Sequence, residues 1–470
     1  MAPSKGSRGA TTTRTWFRVH SFTGVITGLL LFVVCWSGTF ATLSHELDWL
    51  VTPEARSSPT AERLSWGELL ASVTATHPDA RIVSLHAPLY TRSSVEVLVN
   101  LPHQRGVRVY VDPYSGHVRG AWSRLNIARF FRSFHRSLFF PTSWGTLLIA
   151  AFALTMAVST IAALVFYRRW WQRFFRFKWG TGRAFWSELH KIAGLWSLWF
   201  VVVMVVTGIW YGIERIRYDY FDGIIAFAGT TEAAVHLLPQ PRSDAGLPAM
   251  PLDTLIAKAQ EARPDLEIRT VRPRRDTLYL DGQAGHLLVR DRANRLQLDV
   301  RNGEVLYDQS ASDLPLYWRW SDTADPLHFG DFGGLASKLV WFVFGIILSA
   351  VILTGTWLHA HRLAREADGR SRTRWPGTMA ACAVSIAVLA ASVPFGLHGT
   401  REFMGPLIDG ERHLPTLAPG VKAVIIAWTG LTLAIIAAWT FALWRPHTVL
   451  GKAKPAPHRK ALADRGTPGA

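Results

Sequence analysis

Four of the chain's 17 histidines stand beside long apolar segments, at corresponding places in its two halves. His20 opens the first segment and His190 opens the third, while His135 precedes the second and His328 precedes the fourth. A neutral imidazole can ligate a metal through one ring nitrogen. Two imidazoles that face each other, one porphyrin apart, can hold the iron of a haem. We therefore expect His20 to pair with His190 at one end of the segments and His135 to pair with His328 at the other.

Small residues accompany the first pair. Gly24 lies four residues after His20, and Gly194 lies four residues after His190. A glycine one helical turn from a ligand would leave room for a porphyrin against the backbone. The same glycines could instead serve helix packing, as the spacing Gly24-x3-Gly28 allows. For the second pair, the alternative is a loop histidine that bonds to nearby backbone.

Three further histidines are candidates. His359 and His361 follow the fourth segment, and either could replace His20 or His190 as a ligand. Their basic surroundings also fit a solvated face. His45, near the other end of the first segment, is the third candidate.

The apolar segments must position these histidines. The chain is 49% hydrophobic and only 18% charged, and about twenty apolar residues are enough to cross a bilayer. The first segment follows a basic head and has no clear cleavage site, so we expect an uncleaved signal-anchor helix. Including flanking residues, transmembrane helices are expected at 20–45, 131–170, 189–214, 326–361, 376–397 and 421–445.

Lysine and arginine exceed aspartate and glutamate by 17. This positive charge clusters beside the apolar segments, which argues for control of topology and against a nucleic-acid partner. The two short loops 171–188 and 362–375 are strongly basic, and basic loops stay in the cytoplasm. We therefore expect a bacterial inner-membrane protein in contact with the lipid bilayer, with both termini (1–19 and 446–470) in the cytoplasm. The periplasmic regions would then be 46–130, 215–325 and 398–420.

The two cysteines, Cys35 and Cys382, lie within apolar segments, so we expect no disulfide between them. The sequence also has no Cys-x-x-Cys-His motif for covalent haem attachment. Any haem would therefore be haem b, held without a covalent bond to the protein.

Both long outer regions alternate short β-like stretches with turn residues. Asp112 precedes Gly116 by four residues, as Asp299 precedes Gly303, and this spacing predicts two hairpins. Strands are expected at 95–99, 107–111, 277–280 and 296–300. Matching histidines and hairpins lie 170, 187 and 193 residues apart, so one unit of helix, outer domain and helix occurs twice. The expected fold is an α-helical polytopic membrane protein with about six transmembrane helices, a core of four from this duplication, and two α+β outer domains.

These motifs resemble the PepSY-associated transmembrane family. The family pattern begins with His-x3-Gly, here His20 and Gly24, and continues with an Asp-Pro-x-x-Gly hairpin, here 112–116. His-Arg-Ser-Leu then precedes the second helix, here at 135–138. The resemblance covers about residues 14 to 365, and its second copy matches at 189–194 and 326–330.

The resemblance implies that the outer domains are PepSY-like and periplasmic. The family includes inner-membrane ferric-siderophore reductases, so it also implies two haems b that carry electrons across the membrane. A ferric siderophore, or another periplasmic acceptor, would be the substrate in iron acquisition. The donor would be a quinol or a cytoplasmic reductase, because the sequence shows no G-x-G-x-x-G after a strand. The fifth and sixth helices lie outside the family's four-helix pattern.

Electron transfer of this kind needs no general acid or base, so no catalytic side chain is assigned. Arg272, Arg274 and Arg275 could steer an anionic chelate towards the protein, or they could form a solvated loop. An alternative interpretation is a non-enzymatic PepSY protein that binds peptides or a partner and regulates through the helices. A transporter built on the repeat lacks support, because the six segments hold no central Asp, Glu or Lys.

Overall fold

The structure is a computed structural model that describes residues 5–60, 62–220, 250–286, 288–366 and 376–444. The predicted tail 446–470 and most of the predicted loop 362–375 lie outside these residues. The described helices are α1 (Lys5–Ile26), α2 (Gly28–Thr42), α3 (Ser44–Val51), α4 (Trp66–Thr76), α5 (Ile127–Ser137), α6 (Thr142–Phe166), α7 (Arg183–Trp196), α8 (Leu198–Tyr220), α9 (Leu252–Ala262), α10 (Leu316–Phe329), α11 (Gly334–Glu366), α12 (Pro376–Met404) and α13 (Pro419–Trp444). The strands are β1 (Arg81–His86), β2 (Val95–Asn100), β3 (Val107–Val111), β4 (Val118–Ser123), β5 (Glu267–Pro273), β6 (Thr277–Gln283), β7 (Asn294–Asp299), β8 (Val305–Gln309), β9 (Leu407–Ile408) and β10 (Glu411–Arg412).

Five of the described helices are long and apolar enough to cross a membrane, namely α6, α8, α11, α12 and α13. The pair α1 and α2 makes a sixth span if it counts as one, although a bend of 67° separates the two helices. The bend follows Ile26, and α2 then starts at Gly28. A Cβ on Gly28 would lie 2.7 Å from Thr356 Oγ1, so the backbone of α2 begins where it passes close to α11. The first predicted span is therefore two helices rather than one.

Short helices precede two of the spans. Helix α5 ends at Leu138, which has a left-handed backbone, and α6 begins after Pro141. Helix α10 ends at Gly330, also left-handed, before α11 begins. His135 and His328 lie in the last turns of α5 and α10. Each therefore sits just before a span, on an element of its own.

The helices of the two halves pack in a pseudo-two-fold arrangement. Within the first half α1 packs on α6, and within the second half α7 packs on α11. Between the halves α2 packs on α11, and α6 packs on α8. Helices α12 and α13 contact α1, α2 and α11 from one side. The four-helix core that the repeat predicts is thus visible, with the last two spans added to it.

The two outer regions form one antiparallel sheet of eight strands, in the order β4-β3-β2-β1-β5-β6-β7-β8. They join where β1 pairs with β5, with Leu85 opposite Val271 and His86 opposite Thr270. Helices α4 and α9 pack against one sheet face, over a core of buried aliphatic side chains. The predicted strands 95–99, 107–111 and 277–280 are confirmed as parts of β2, β3 and β6. The predicted strand 296–300 is confirmed up to Asp299, where β7 ends, and both predicted hairpins are confirmed as β3–β4 and β7–β8. The sheet therefore repeats the two-fold plan of the helices.

Buried polar contacts fasten the sheet to the helical bundle. The Asp48 carboxylate accepts the backbone N–H groups of Ile127 and Ala128, at 2.8 and 2.9 Å, and so caps α5. Burial raises the pKa of Asp48 to about 7. Lys338 Nζ lies 2.8 Å from a Glu46 carboxylate oxygen, and the Tyr90 hydroxyl donates to the same oxygen. The Asp48 contacts hold α5, and with it His135, against α3, and the Glu46 contacts join α3 to α11 and to the loop after β1.

Candidate functional site

The structure brings His20 and His190 together, and we call them the far-side pair. Their ring centroids are 6.4 Å apart, and the ring planes are inclined by 61°. His20 lies on α1 and His190 on α7, so each half of the chain supplies one imidazole. The pairing predicted from the repeat is thus present in the structure.

Hydroxyl-bearing residues hold both rings of the far-side pair by Nδ1. His20 Nδ1 lies 3.0 Å from the Ser159 carbonyl oxygen and 2.9 Å from Ser159 Oγ. His190 Nδ1 lies 3.2 Å from Thr354 Oγ1. Ser159 is on α6 and Thr354 is on α11, which is the second span of each half. Since Nδ1 is engaged, Nε2 is the ring nitrogen that each histidine offers to a ligand.

His135 and His328 also face each other, and we call them the sheet-side pair. Their ring centroids are 5.9 Å apart, with an angle of 43° between the planes. His135 Nδ1 lies 2.9 Å from the Val34 carbonyl oxygen, and His328 Nδ1 lies 2.8 Å from Thr207 Oγ1. Val34 is on α2 and Thr207 is on α8, the first span of each half. Both pairs therefore span the two halves and are held by the same nitrogen.

Glycines let the backbone pass close to one ring of each pair. A Cβ on Gly38 would lie 2.6 Å from His135 Cε1, and a Cβ on Gly355 would lie 2.9 Å from His190 Cε1. Neither Gly38 nor Gly355 is among the residues predicted from the sequence to lie beside a ring. Gly24 and Gly194, which are so predicted, have no atom within 4 Å of an added Cβ. A side chain added at either glycine would therefore meet open space, and their role beside a porphyrin stays a prediction.

A cavity of about 600 Å³ adjoins the sheet-side pair. Part of its lining consists of apolar side chains, among them Leu31, Met156 and Leu348. Tyr211 packs its ring edge-on against His328 at 5.2 Å, and its hydroxyl donates to Asp325. Six arginines line the same cavity: Arg132, Arg136, Arg215, Arg217, Arg290 and Arg292. The cavity thus combines an apolar interior with a strongly cationic part.

The geometry of both pairs fits an iron held between two imidazoles. Metal–imidazole bonds are about 2.0–2.1 Å long, so two imidazoles on opposite sides of one metal place their centroids roughly 6 Å apart. The observed separations are 6.4 and 5.9 Å. Ligating histidines also commonly donate their other ring nitrogen to a protein acceptor. Here Nδ1 of His20 and His135 meets a backbone carbonyl oxygen, and Nδ1 of His190 and His328 lies within hydrogen-bond distance of a threonine hydroxyl. Among the described residues no group of three or more His, Cys, Asp or Glu could hold a metal ion.

The other predicted residues lie elsewhere. His359 Nδ1 is 3.0 Å from an Arg362 guanidinium nitrogen, and His361 Nδ1 is 3.1 Å from the Trp357 carbonyl oxygen. Burial and Lys338 lower the pKa of His45 to about 4. The predicted steering cluster is partly neutralised, because Arg272 pairs with Asp281 and Arg274 donates to the Val83 carbonyl oxygen.

Sequence reasoning missed the residues that orient the rings. Ser159, Thr207 and Thr354 each place a hydroxyl beside a histidine Nδ1. For Thr207 a signal was present, because Ser37-Gly38 and Thr207-Gly208 fill corresponding slots of the repeat. Ser159 and Thr354 gave no such signal, because Ser and Thr hydroxyls in apolar helices commonly form hydrogen bonds with the backbone of their own helix.

Comparison with known proteins places the chain in context. A family model described as the PepSY-associated TM region matches residues 17–362, which is well over half of the chain. The match begins three residues before His20 and ends after Gly355, so it contains both histidine pairs. A search of curated proteins finds no match.

Proposed function

The chain belongs to the PepSY-associated transmembrane family, and from this membership and its two histidine pairs we propose that it is a two-haem oxidoreductase of the membrane. In this proposal it passes electrons across the bilayer to an acceptor on the side of the sheet. The observation that carries the proposal is that two imidazole pairs, each shared between the halves, have a separation that would admit one iron and have Nδ1 held by the protein.

Haem b would supply one-electron chemistry at each pair. The chain's own residues would hold and orient it: His20 with His190, and His135 with His328. With both imidazoles of a pair holding one iron, the site would suit electron transfer rather than activation of oxygen. The neutral ring would be the ligating form, and the Nδ1 contact would leave Nε2 of each histidine for the metal.

The two pairs lie at different levels of the bundle. Thr207, which holds His328, follows His190 by 17 residues along α7 and α8. At 1.5 Å of rise per residue this is roughly 25 Å, compared with a hydrocarbon thickness of about 30 Å. A pair near each membrane face would divide the crossing into shorter steps for electrons.

The charge of the loops indicates which side of the membrane each histidine pair and the sheet would face. The segment that runs from the end of α6 to the first residue of α7 carries six basic residues, and no acidic residue occurs before Glu188: Arg168, Arg169, Arg173, Arg176, Lys178 and Arg183. Basic loops remain in the cytoplasm, so we place the far-side pair near the cytoplasm and the sheet in the periplasm of a bacterial inner membrane. The donor would be a quinol or a cytoplasmic reductase. The acceptor, by likeness to the siderophore reductases of the family, would be a ferric siderophore.

Haem stoichiometry tests the proposal. Purified protein from haem-replete cells should be red and contain two haems b per chain, measured as the pyridine haemochrome. His20→Ala and His190→Ala should each lose the same haem, and His135→Ala and His328→Ala should each lose the other. His117→Ala, in an exposed turn, is the matched control and should keep both. His359→Ala shows whether that residue replaces a far-side ligand.

A colourless protein would defeat this proposal and favour a second candidate, a PepSY protein that binds a peptide or partner protein. Strand β8 is an edge of the described sheet. Its Val305 and Leu306 side chains are 40% and 51% exposed. An exposed apolar edge strand can pair with an added strand.

A further inference from the structure

The side chains that line the sheet-side cavity carry more positive than negative charge. Six arginines line the cavity, whereas Glu214 and Asp325 are its acidic lining residues. Four of the arginines have a carboxylate partner: Arg215 with Asp219, Arg217 with Glu214, Arg290 with Asp325, and Arg292 with Asp322. Two arginines are left over, Arg132 and Arg136.

Arg132 and Arg136 flank a predicted iron ligand. They lie on α5 at positions −3 and +1 relative to His135, and both side chains are exposed where they line the cavity. The Arg132 guanidinium also lies over the Phe329 ring, 5.4 Å from its centroid, next to His328. Within the described part of the chain, neither arginine forms an ion pair or a hydrogen bond. The cavity therefore has two arginines without a carboxylate partner among the described residues, Arg132 and Arg136, and both lie beside the sheet-side pair.

A haem b has two propionate carboxylates on one edge of its ring. Guanidinium groups bind carboxylates through paired, charge-assisted hydrogen bonds, and arginine suits this role better than lysine. We propose that Arg132 and Arg136 bind the two propionates of the haem that His135 and His328 would ligate. This inference rests on the proposed function and assigns to these two arginines the task of orienting the ring within the cavity.

The test compares Arg132→Gln and Arg136→Gln with Arg129→Gln. Arg129 is on the same helix but does not line the cavity, so its substitution removes the same charge from α5. The measurement is the rate at which the purified protein loses haem to excess apomyoglobin. Loss of a charge-assisted bond should speed release of one of the two haems about tenfold in each cavity variant. The midpoint potential of that haem should also fall, because an unpaired carboxylate favours the ferric state.

A chemically altered haem separates the propionates from other causes. The depleted protein is refilled with haem b or with its dimethyl ester, whose propionates carry no charge. With the ester, the variants and the wild type should release haem at the same rate. The inference is overturned if the variants and wild type differ equally with both haems, or if the variants resemble Arg129→Gln with haem b.

Two further outcomes separate a failure of the proposed function from a failure of the propionate assignment. A wild-type protein without haem overturns the proposed function itself, and this inference with it. If the variants keep normal haem release and potential but show a raised KM for ferric citrate, the arginines bind an anionic acceptor. That result would overturn the propionate assignment and leave the two-haem proposal intact.

Discussion

Replacing Gly38 with alanine should disturb the sheet-side pair and leave the far-side pair unchanged. The added Cβ would lie 2.6 Å from His135 Cε1 and 2.9 Å from its Nδ1. Ordinary contacts begin at 3.4 Å, so the imidazole must move by about 0.8 Å. Metal–ligand distances tolerate shifts of only about 0.2 Å. The ring cannot move this far and keep both a metal bond and its hydrogen bond to the Val34 carbonyl oxygen.

Overpacking of this kind costs about 1–3 kcal/mol, which weakens the binding of haem by roughly 5- to 150-fold. The haem content of purified Gly38→Ala, measured as the pyridine haemochrome, should therefore fall from two per chain towards one. Gly355→Ala should show the converse, because its Cβ would lie 2.9 Å from His190 Cε1 and disturb the far-side pair. Gly430→Ala is the matched control, since an added Cβ there meets no atom within 4 Å.

The reasoning would be refuted if Gly38→Ala retained two haems with unchanged midpoint potentials. In that case the added methyl group would have displaced something other than the His135 ring. Equal haem loss in Gly430→Ala would also count against it, because the effect would then belong to any helical glycine.

Three other perturbations have expected outcomes. Thr207→Val removes the hydroxyl at His328 Nδ1 and should weaken retention of one haem about 10- to 100-fold. Thr207→Ser keeps a hydroxyl and should retain that haem. The rate of haem transfer to apomyoglobin measures both effects. Burial raises the pKa of Asp48 from 3.8 to about 7, so the folded state holds a proton that the unfolded state releases, and stability should fall as pH rises from about 4 to 7. Asp48→Asn should remove that part of the pH dependence of Tm. Lys338→Met leaves the Glu46 carboxylate without its cation and should cost about 3 kcal/mol of stability, which a lower Tm would show. Glu46→Gln added to Lys338→Met should restore part of that Tm, and a double variant without any restoration would contradict this.

Much of the fold and of the candidate site could be predicted from the sequence because the same motifs occur in both halves of the chain. Apolar runs of sufficient length indicate spans without knowledge of their neighbours, and Asp112 and Gly116 indicate a turn by local chemistry alone. The histidine pairs could be predicted because His20 and His190, like His135 and His328, recur at matching places. A duplicated unit that packs with two-fold symmetry brings equivalent residues together near the axis.

Other features depend on contacts between distant residues, which no local pattern records. The bend before Gly28 lies where α2 passes close to α11, and the nearest residue there, Thr356, is more than three hundred residues away. The joining of the outer regions rests on Leu85 facing Val271, and alternation of apolar residues cannot say which edge strands will pair. The ring-holding role of Ser159 is likewise set by where α6 passes α1.

The division of each histidine pair between the halves has a consequence for assembly. Neither half contains a complete site, since each supplies one imidazole at each level of the membrane. A polypeptide of half this length would have to associate with a second copy before two such imidazoles could face each other, and the pairing would then depend on protein concentration. Joining the two halves in one chain turns that association into an intramolecular event with a high effective concentration. It also allows the two copies to diverge, so that one partner of a pair can change its surroundings while the other stays the same.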